Sequence, residues 1–224
     1  MKKVLCVAVH ADDETLGCGG TLLKHKAQGD EIYWLLITGP TKNHPSNFSE
    51  EKILARQDLV GRIAGEYGFD GLEYLELPTQ LLHSLDLRDI IKKISNVMKQ
   101  IEPNIVYTMF ANDVHSDHRV AFEAVYSCTK TFRYPFIERL YMMETLSETE
   151  FAVATSSHTF LPNVYVDITD YMDRKLEIMG MYEKEIMPEP YPRSLSSIRA
   201  LARVRGSRAG VKYAEAFQLL FEKR

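Results

Sequence analysis

The chain has 224 residues, of which 45% are hydrophobic and 26% are charged, and its formal net charge is −4 with neutral histidines. This length and composition suit a globular chain with a substantial core, and we expect residues 1–224 to form a single domain. The acidic balance argues against a broad nucleic-acid-binding surface, and no apolar stretch is long enough to span a membrane. Three cysteines without a CxxC pair argue against a disulfide scaffold and favour a reducing, cytoplasmic location.

Apolar runs typical of strands alternate with stretches of helical periodicity over the first 130 residues. The predicted strands cover residues 4–9, 32–38, 72–77 and 104–109. The predicted helices cover residues 15–27, 50–67, 85–101 and 118–130. Four successive β-α units predict an α/β fold with a mainly parallel sheet that is covered on both faces. A polar segment, residues 39–49, follows the second strand, and its length indicates a functional surface loop.

The pattern is less regular after residue 130. Strands are predicted at residues 139–143 and 163–166, and helices at residues 168–186 and 193–204. The proline-rich residues 188–192 are a candidate rigid loop near the mouth of a site, although a plain connector is the favoured interpretation. Five arginines near this end are interpreted as a solvated helix face, with a local anion contact as the alternative. They are Arg193, Arg199, Arg203, Arg205 and Arg208.

Two polar clusters follow predicted strands. The first, residues 10–14, reads His-Ala-Asp-Asp-Glu directly after the first strand, and the second, residues 112–118, reads Asn-Asp-Val-His-Ser-Asp-His after the fourth. A core does not need such clusters, because burying unpaired charge costs free energy, and a divalent cation would compensate the charge. Sites in parallel sheets form at the carboxyl ends of strands. The two clusters are therefore predicted to meet at one edge of the sheet.

A plausible metal-ligand set combines the two clusters. His10, Asp13 and His118 supply two imidazoles and one carboxylate, which suit Zn²⁺ and leave a coordination position open for water. Iron(II) accepts the same set, so the ligands do not fix the metal. Helix capping is the alternative for a single aspartate. His115 either shares a helix face with His118 and binds metal, or lies in the preceding loop and faces substrate.

Other motifs are incomplete. Gly17, Gly19 and Gly20 do not match the dinucleotide-binding fingerprint, and acidic residues fill the turn where a pyrophosphate would need free backbone amides. We interpret these glycines as small residues that let the first helix pack closely on the sheet. Ser207 lies one position too early for a nucleophile elbow, and no HExxH or P-loop motif is present.

Taken together, the motifs resemble those of the LmbE/PIG-L-type zinc-dependent N-deacetylases. Residues 10–14 are similar to the first family motif, A/P-H-P-D-D-E, and residues 115–118 match the second, H-x-D-H. The resemblance extends to Arg56 and Asp58, at the family's Arg-x-acid spacing, and to a closing segment at residues 205–217. It thus spans nearly the whole chain.

The resemblance implies a Rossmann-like three-layer fold with an irregular C-terminal part. It also implies hydrolysis of the N-acetyl group of a small N-acetylated amino sugar or its conjugate, with Zn²⁺ as cofactor and Fe²⁺ or another divalent metal as alternatives. The implied roles are metal ligation for His10, Asp13 and His118, general-base catalysis for Asp12, general-acid catalysis or oxyanion stabilisation for His115, orientation of His115 for Asp117, and substrate contact for Arg56.

Three positions depart from the family pattern. Ala11 replaces a proline, Asp113 stands where some members have a tyrosine, and residues 183–185 (Glu-Lys-Glu) stand where many members have Ser-Gln. Two alternative functions stay open: hydrolysis of another amide or acyl group at the same metal, and a non-catalytic sugar-binding homologue. The expected partner is a small amino-sugar substrate rather than nucleic acid, and assembly into a homo-oligomer is left open.

Overall fold

The computed structural model describes all residues, 1–224, and contains seven strands and six α-helices. The strands are β1 (Lys3–Ala8), β2 (Glu31–Gly39), β3 (Gly71–Pro78), β4 (Ile105–Thr108), β5 (Arg139–Met143), β6 (Val164–Asp167) and β7 (Ala214–Glu222). The helices are α1 (Asp13–Ala27), α2 (Glu50–Tyr67), α3 (Leu87–Ile101), α4 (Ser116–Ser127), α5 (Met172–Gly180) and α6 (Leu195–Ala209). None of these helices is long and apolar enough to cross a membrane.

All seven strands form one sheet in the order β3-β2-β1-β4-β5-β7-β6. The strands β1 to β5 pair in parallel, whereas β7 is antiparallel to both β5 and β6. Every residue from Val4 to Val9 is fully buried, as expected for a central parallel strand that helices cover on both faces. The predicted three-layer α/β fold with a mainly parallel sheet is confirmed.

Helix α1 packs tightly against the sheet because its first half contains small residues. A Cβ atom on Gly17 would lie 2.5 Å from Met143 Sδ, and one on Gly20 would lie 2.8 Å from Ile168 Cβ. Cys18 between them leaves helical geometry and kinks α1. The interpretation of these glycines as residues that let α1 pack on the sheet is confirmed for Gly17, which faces β5, whereas Gly19 faces Tyr67 of α2 and Gly20 faces Ile168 just after β6.

The C-terminal part differs most from the sequence prediction. The helix expected over residues 168–186 ends at Gly180, because the chain then turns so that Tyr182 is buried and donates a hydrogen bond to Glu14. The helix expected over residues 193–204 is α6, which starts two residues later at Leu195, directly after its N-cap Ser194, and continues to Ala209. Strand β7 was not predicted from the sequence, and it forms the antiparallel part of the sheet by pairing with β5 and β6.

Candidate active site

The two polar clusters meet because β1 and β4 are neighbouring parallel strands. His10 follows β1, and His115 and His118 lie at the start of α4, just beyond β4. The ring centroids of His10 and His115 are 4.5 Å apart, and those of His10 and His118 are 5.3 Å apart. The predicted meeting of the clusters at one sheet edge is therefore confirmed.

Three donor atoms converge in this cluster. His118 Nε2 lies 3.3 Å from Asp13 Oδ2 and 3.4 Å from His10 Nδ1, and His10 Nδ1 lies 3.9 Å from Asp13 Oδ2. A tetrahedral ion with ligand bonds of about 2.1 Å separates its ligand atoms by about 3.4 Å. The spacing of the three atoms therefore fits one small divalent cation. Two nitrogens and one oxygen suit both zinc and iron(II), so the donor set leaves the metal unassigned.

A second group of potential ligand atoms comes from His10, His115 and Asp117, and it shares His10 with the first. The contacts of the other ring nitrogens favour the first group. His118 Nδ1 lies 2.8 Å from Asp113 Oδ2, and His10 Nε2 lies 3.4 Å from Asp117 Oδ2. Carboxylates commonly orient metal-bound imidazoles in this way. In the first group, each histidine therefore directs one ring nitrogen toward the potential metal position and the other toward a carboxylate.

The carboxylate of Asp117 contacts His10 and not His115. It also accepts hydrogen bonds from the backbone N–H groups of Gln80 and Leu82, at 2.5 and 3.1 Å. The contact of Asp117 with His115 comes from its backbone, whose N–H donates to His115 Nδ1 at 3.1 Å. The expected orientation of His115 by Asp117 is thus provided by the main chain, while the side chain of Asp117 supports His10.

Charge in the cluster favours a bound cation. Burial by itself would lower the pKa of His118, but the carboxylates of Asp13 and Asp113 raise it well above its ordinary value. Burial would likewise raise the pKa of Asp13, but the neighbouring His118 and His10 hold it well below its ordinary value. A divalent cation would supply the positive charge that these two buried carboxylates attract.

Asp12 lies in the same cluster but outside the donor group. Its side chain is buried, and its Oδ2 accepts a hydrogen bond from Arg193 Nη1 at 3.3 Å. Burial and the neighbouring carboxylates of Asp13 and Glu185 raise the pKa of Asp12, and Arg193 opposes this shift. A carboxylate with a raised pKa that is not needed as a ligand is suited to proton transfer.

His115 occupies the N-cap position of α4 and lines the cavity described below. Because His115 Nδ1 accepts a backbone hydrogen bond, the neutral ring has its proton on Nε2. Burial and the positive charges of His10 and His118 lower the pKa of His115 to about 4. His115 is therefore neutral near pH 7 and offers an N–H donor. It lies just before α4, as expected if it faces the substrate from the loop, and not on a helix face shared with His118.

An open cavity of about 1040 Å³ lies above this cluster. Its walls include residues of the polar segment 39–49, of α2 and of the connection between α5 and α6. Arg56 lines it and donates to Ala11 O at 3.3 Å and to Glu185 Oε1 at 2.7 Å. The proline-rich residues 188–192 do not line the cavity, whereas Arg193 directly after them does.

More than half of this chain matches a known protein family. The profile of the PIG-L family, described as GlcNAc-PI de-N-acetylase, matches residues 5–129, which is more than half of the chain. This chain belongs to the PIG-L family. The matched residues contain both polar clusters and Arg56, but not the connection between α5 and α6.

Proteins that are similar to this PIG-L chain in sequence or in fold have different activities. Diacetylchitobiose deacetylase of Thermococcus kodakarensis is 27% identical over 98% of this chain and 84% of that protein. The conserved protein TT1542 of Thermus thermophilus has a structure with a TM-score of 0.77 at 25% identity, covering 100% of this chain and 97% of that one. The hydratase GalB, which acts on 4-carboxy-2-hydroxymuconate in Pseudomonas putida, has a TM-score of 0.75 at 19% identity, covering 100% and 98%. The fold alone therefore does not define the reaction, which has to be inferred from the residues of the site.

Several contacts of the PIG-L site are not predicted by the sequence. Asp113 belongs to the second polar cluster and stands where some family members have a tyrosine, and its contact with His118 is signalled only by a spacing of five residues from this candidate ligand. Thr149 donates to Asp113 Oδ1 at 2.7 Å, and no sequence signal connects these two residues. The interpretation of Arg193 as part of a solvated helix face is wrong, because Arg193 precedes α6 and contacts Asp12.

Proposed function

We propose that this PIG-L protein is a metal-dependent N-deacetylase that hydrolyses the N-acetyl group of a small amino sugar or its conjugate. The observation that carries this proposal is the convergence of three metal-ligand atoms from His10, Asp13 and His118 beside a carboxylate, Asp12, that is not among them. The relationship to diacetylchitobiose deacetylase supports the choice of an N-acetylated sugar.

The metal would be held by His10 Nδ1, Asp13 Oδ2 and His118 Nε2, and Zn²⁺ is our first choice. Such an ion supplies Lewis acidity toward the acetyl carbonyl and lowers the pKa of a bound water. Asp113 and Asp117 would fix the orientation of the two imidazoles, as they do in the present structure.

Asp12 would act as the general base. It accepts a proton from the attacking water while the oxygen–carbon bond to the acetyl carbonyl forms. Arg193 occupies Oδ2 of Asp12, so Oδ1 is the oxygen that is free for this proton. The protonated Asp12 then returns the proton to the leaving nitrogen as the carbon–nitrogen bond breaks, giving a free amine and acetic acid, which ionises to acetate in solution. General acid–base catalysis of this kind contributes typically ~10²–10⁴-fold to the rate.

His115 would stabilise the developing oxyanion. Its neutral ring offers Nε2–H, and a donor fixed by the backbone needs no reorganisation when the negative charge appears. Because the pKa of His115 is lowered to about 4, little imidazolium exists near pH 7 to act as a general acid. Of the two roles implied by the family resemblance, oxyanion stabilisation is therefore the better supported.

Arg56 would contact the substrate from the cavity wall, where its guanidinium is held by Ala11 and Glu185. We further propose a cytoplasmic location, which the three buried, unpaired cysteines support. The net charge of −4 supports a small sugar rather than nucleic acid as the partner.

Acetate release from a panel of substrates tests this proposal. The panel contains N-acetylated monosaccharides, disaccharides and nucleotide sugars, together with a non-sugar N-acetyl amide and an acetyl ester, each with and without a chelator. We expect release from at least one N-acetyl sugar, loss of release with the chelator, and recovery on addition of Zn²⁺. Asp89→Asn, an exposed change on α3, serves as the control variant.

Other outcomes of the same panel would contradict the proposal. Hydrolysis of the non-sugar amide or the ester alone would favour the alternative hydrolase. Sugar binding by the metal-loaded protein without any acetate release would favour the non-catalytic homologue.

A further inference from the structure

A chain of charged side chains connects the candidate base to the outer wall of the cavity. Arg193 Nη1 lies 3.3 Å from Asp12 Oδ2 and 3.6 Å from Glu185 Oε2. The other oxygen of Glu185 accepts from Arg56 Nη2 at 2.7 Å. Glu185 therefore bridges two arginines, and one of them reaches Asp12 from 181 residues further along the chain.

The backbone on both sides of Arg193 is held in place. The N–H of Met187 donates to the carbonyl of Arg193 at 3.3 Å, which closes the connection between α5 and α6 on itself. The next residue, Ser194, is buried and caps α6 by accepting a hydrogen bond from Ser197 N–H at 3.1 Å. Arg193 thus extends from a fixed point of the fold.

The carboxylate of Asp12 depends on Arg193 for its orientation. Arg193 is the one side chain within hydrogen-bond distance of this carboxylate, and the other charged groups around Asp12 include the carboxylates of Asp13, Glu14 and Glu185. Without Arg193, the side chain of Asp12 would have no hydrogen bond to hold it, and repulsion would favour rotation away from its acidic neighbours.

We propose that Arg193 is a positioning residue that holds Asp12 Oδ2, so that Oδ1 faces the reacting water, and that Glu185 holds Arg193 in place. This inference rests on the proposed deacetylase function. It assigns the connection between α5 and α6, which lies outside the matched family region, a part in orienting the base as well as in forming the cavity wall.

The test compares steady-state kinetics of the metal-loaded wild type, Arg193→Gln, Arg193→Lys and Glu185→Gln. A misplacement of about 1 Å can cost ~10²-fold in rate, so we expect kcat of Arg193→Gln to fall by roughly 10- to 100-fold with little change in KM. Lysine keeps the charge but not the planar fork, so Arg193→Lys should recover part of the loss. Glu185→Gln, which keeps the direct Arg193–Asp12 contact, should lose less than Arg193→Gln.

Arg203→Gln is the matched control, because Arg203 is an exposed arginine of α6 whose side chain donates its one hydrogen bond to the carbonyl of Lys212. This control should keep the wild-type kcat, and the metal content of every variant should match that of the wild type. If thermal unfolding shows that Arg193→Gln is poorly folded, two other measurements replace it. They are the kcat of Arg193→Lys and the restoration of kcat in Arg193→Ala by added guanidinium.

Two results would overturn the inference while the proposed function stands. The first is a wild-type kcat in Arg193→Gln, and the second is a rise in KM alone, which would make Arg193 a substrate contact. A wild type that releases no acetate from any N-acetyl sugar would instead refute the proposed function itself, together with the role of Arg193 in it.

Discussion

Two regions of the site are built in different ways. The floor, which we define as the proposed metal ligands His10, Asp13 and His118, lies on the short junctions between strands and helices at the centre of the parallel sheet. The outer wall, which we define as Arg56, Glu185 and Arg193, lies on α2 and on the connection between α5 and α6. Asp13 and His118 of the floor are buried, whereas all three wall residues are partly exposed. The proposed metal ligands therefore have a different structural support from the residues proposed to contact the substrate and to position Asp12.

Glu14 lies beside the floor and contacts Tyr182 of the connection between α5 and α6, and its titration should have the largest effect on the free energy of unfolding. It is fully buried next to the floor, accepts a hydrogen bond from Tyr182 at 2.7 Å, and is held by Thr15 at 2.6 Å. Burial raises the pKa of Glu14 to about 7, although hydrogen bonds from Thr15 and Tyr182 act in the opposite direction. The folded state therefore binds a proton more tightly at Glu14 than the unfolded state does.

The sign of the resulting pH dependence follows from this raised pKa. The contribution of Glu14 to stability is full below about pH 4.5 and is lost as the pH rises to about 7. Because one pKa unit corresponds to 1.36 kcal/mol, the free energy of unfolding falls by about 3 kcal/mol over this pH range. Chemical unfolding of the metal-free wild type and Glu14→Gln across this pH range measures it. A difference between the two proteins that stays constant with pH would contradict the assignment.

A change beneath the floor should affect metal affinity. Asp113→Ala removes the carboxylate that lies 2.8 Å from His118 Nδ1, and changes to such partners cost about 10–100-fold in metal affinity. Competition with a chelator of known affinity measures this loss. Asp89→Ala, at an exposed position of α3, is the control and should bind metal as the wild type does. If Asp113→Ala bound the metal as tightly as the wild type, the role of Asp113 in supporting the floor would be contradicted.

A change in the wall should affect the substrate and leave the metal in place. Arg56→Gln removes a charged donor, and a hydrogen bond to a charged group is worth about 1.5–3 kcal/mol, so kcat/KM should fall at least about 10-fold. The metal content should equal that of the wild type. Loss of metal from Arg56→Gln, or an unchanged kcat/KM, would show that Arg56 does not have this role.

The sequence predicted the floor because its geometry follows from local patterns. Apolar runs located β1 and β4, and the acids and histidines that follow them had to lie at the carboxyl edge of a parallel sheet. The order of the strands then placed His10 beside His118. Helix α4 begins two residues earlier than predicted, and His118 lies in its first turn.

The wall could not be predicted in the same way. Helical periodicity continues beyond Gly180, but the burial of Tyr182 against Glu14 and the contacts of Glu185 with two arginines end the helix there. The contacts of Tyr182 with Glu14 and of Glu185 with Arg56 join residues that are more than 100 positions apart, as does the contact of Arg193 with Asp12. Long-range packing therefore decides the position of Arg193, and charge counting along the sequence could not separate it from the arginines of α6.

The central claim is that the floor binds a metal while Asp12 transfers protons, and one paired measurement tests it. Metal content per chain and kcat are determined for Asp12→Asn and His118→Ala beside the wild type. We expect Asp12→Asn to keep its metal and to lose ~10²–10⁴-fold in kcat, and His118→Ala to lose both metal and turnover. Full activity in Asp12→Asn, or wild-type metal affinity in His118→Ala, would contradict the account.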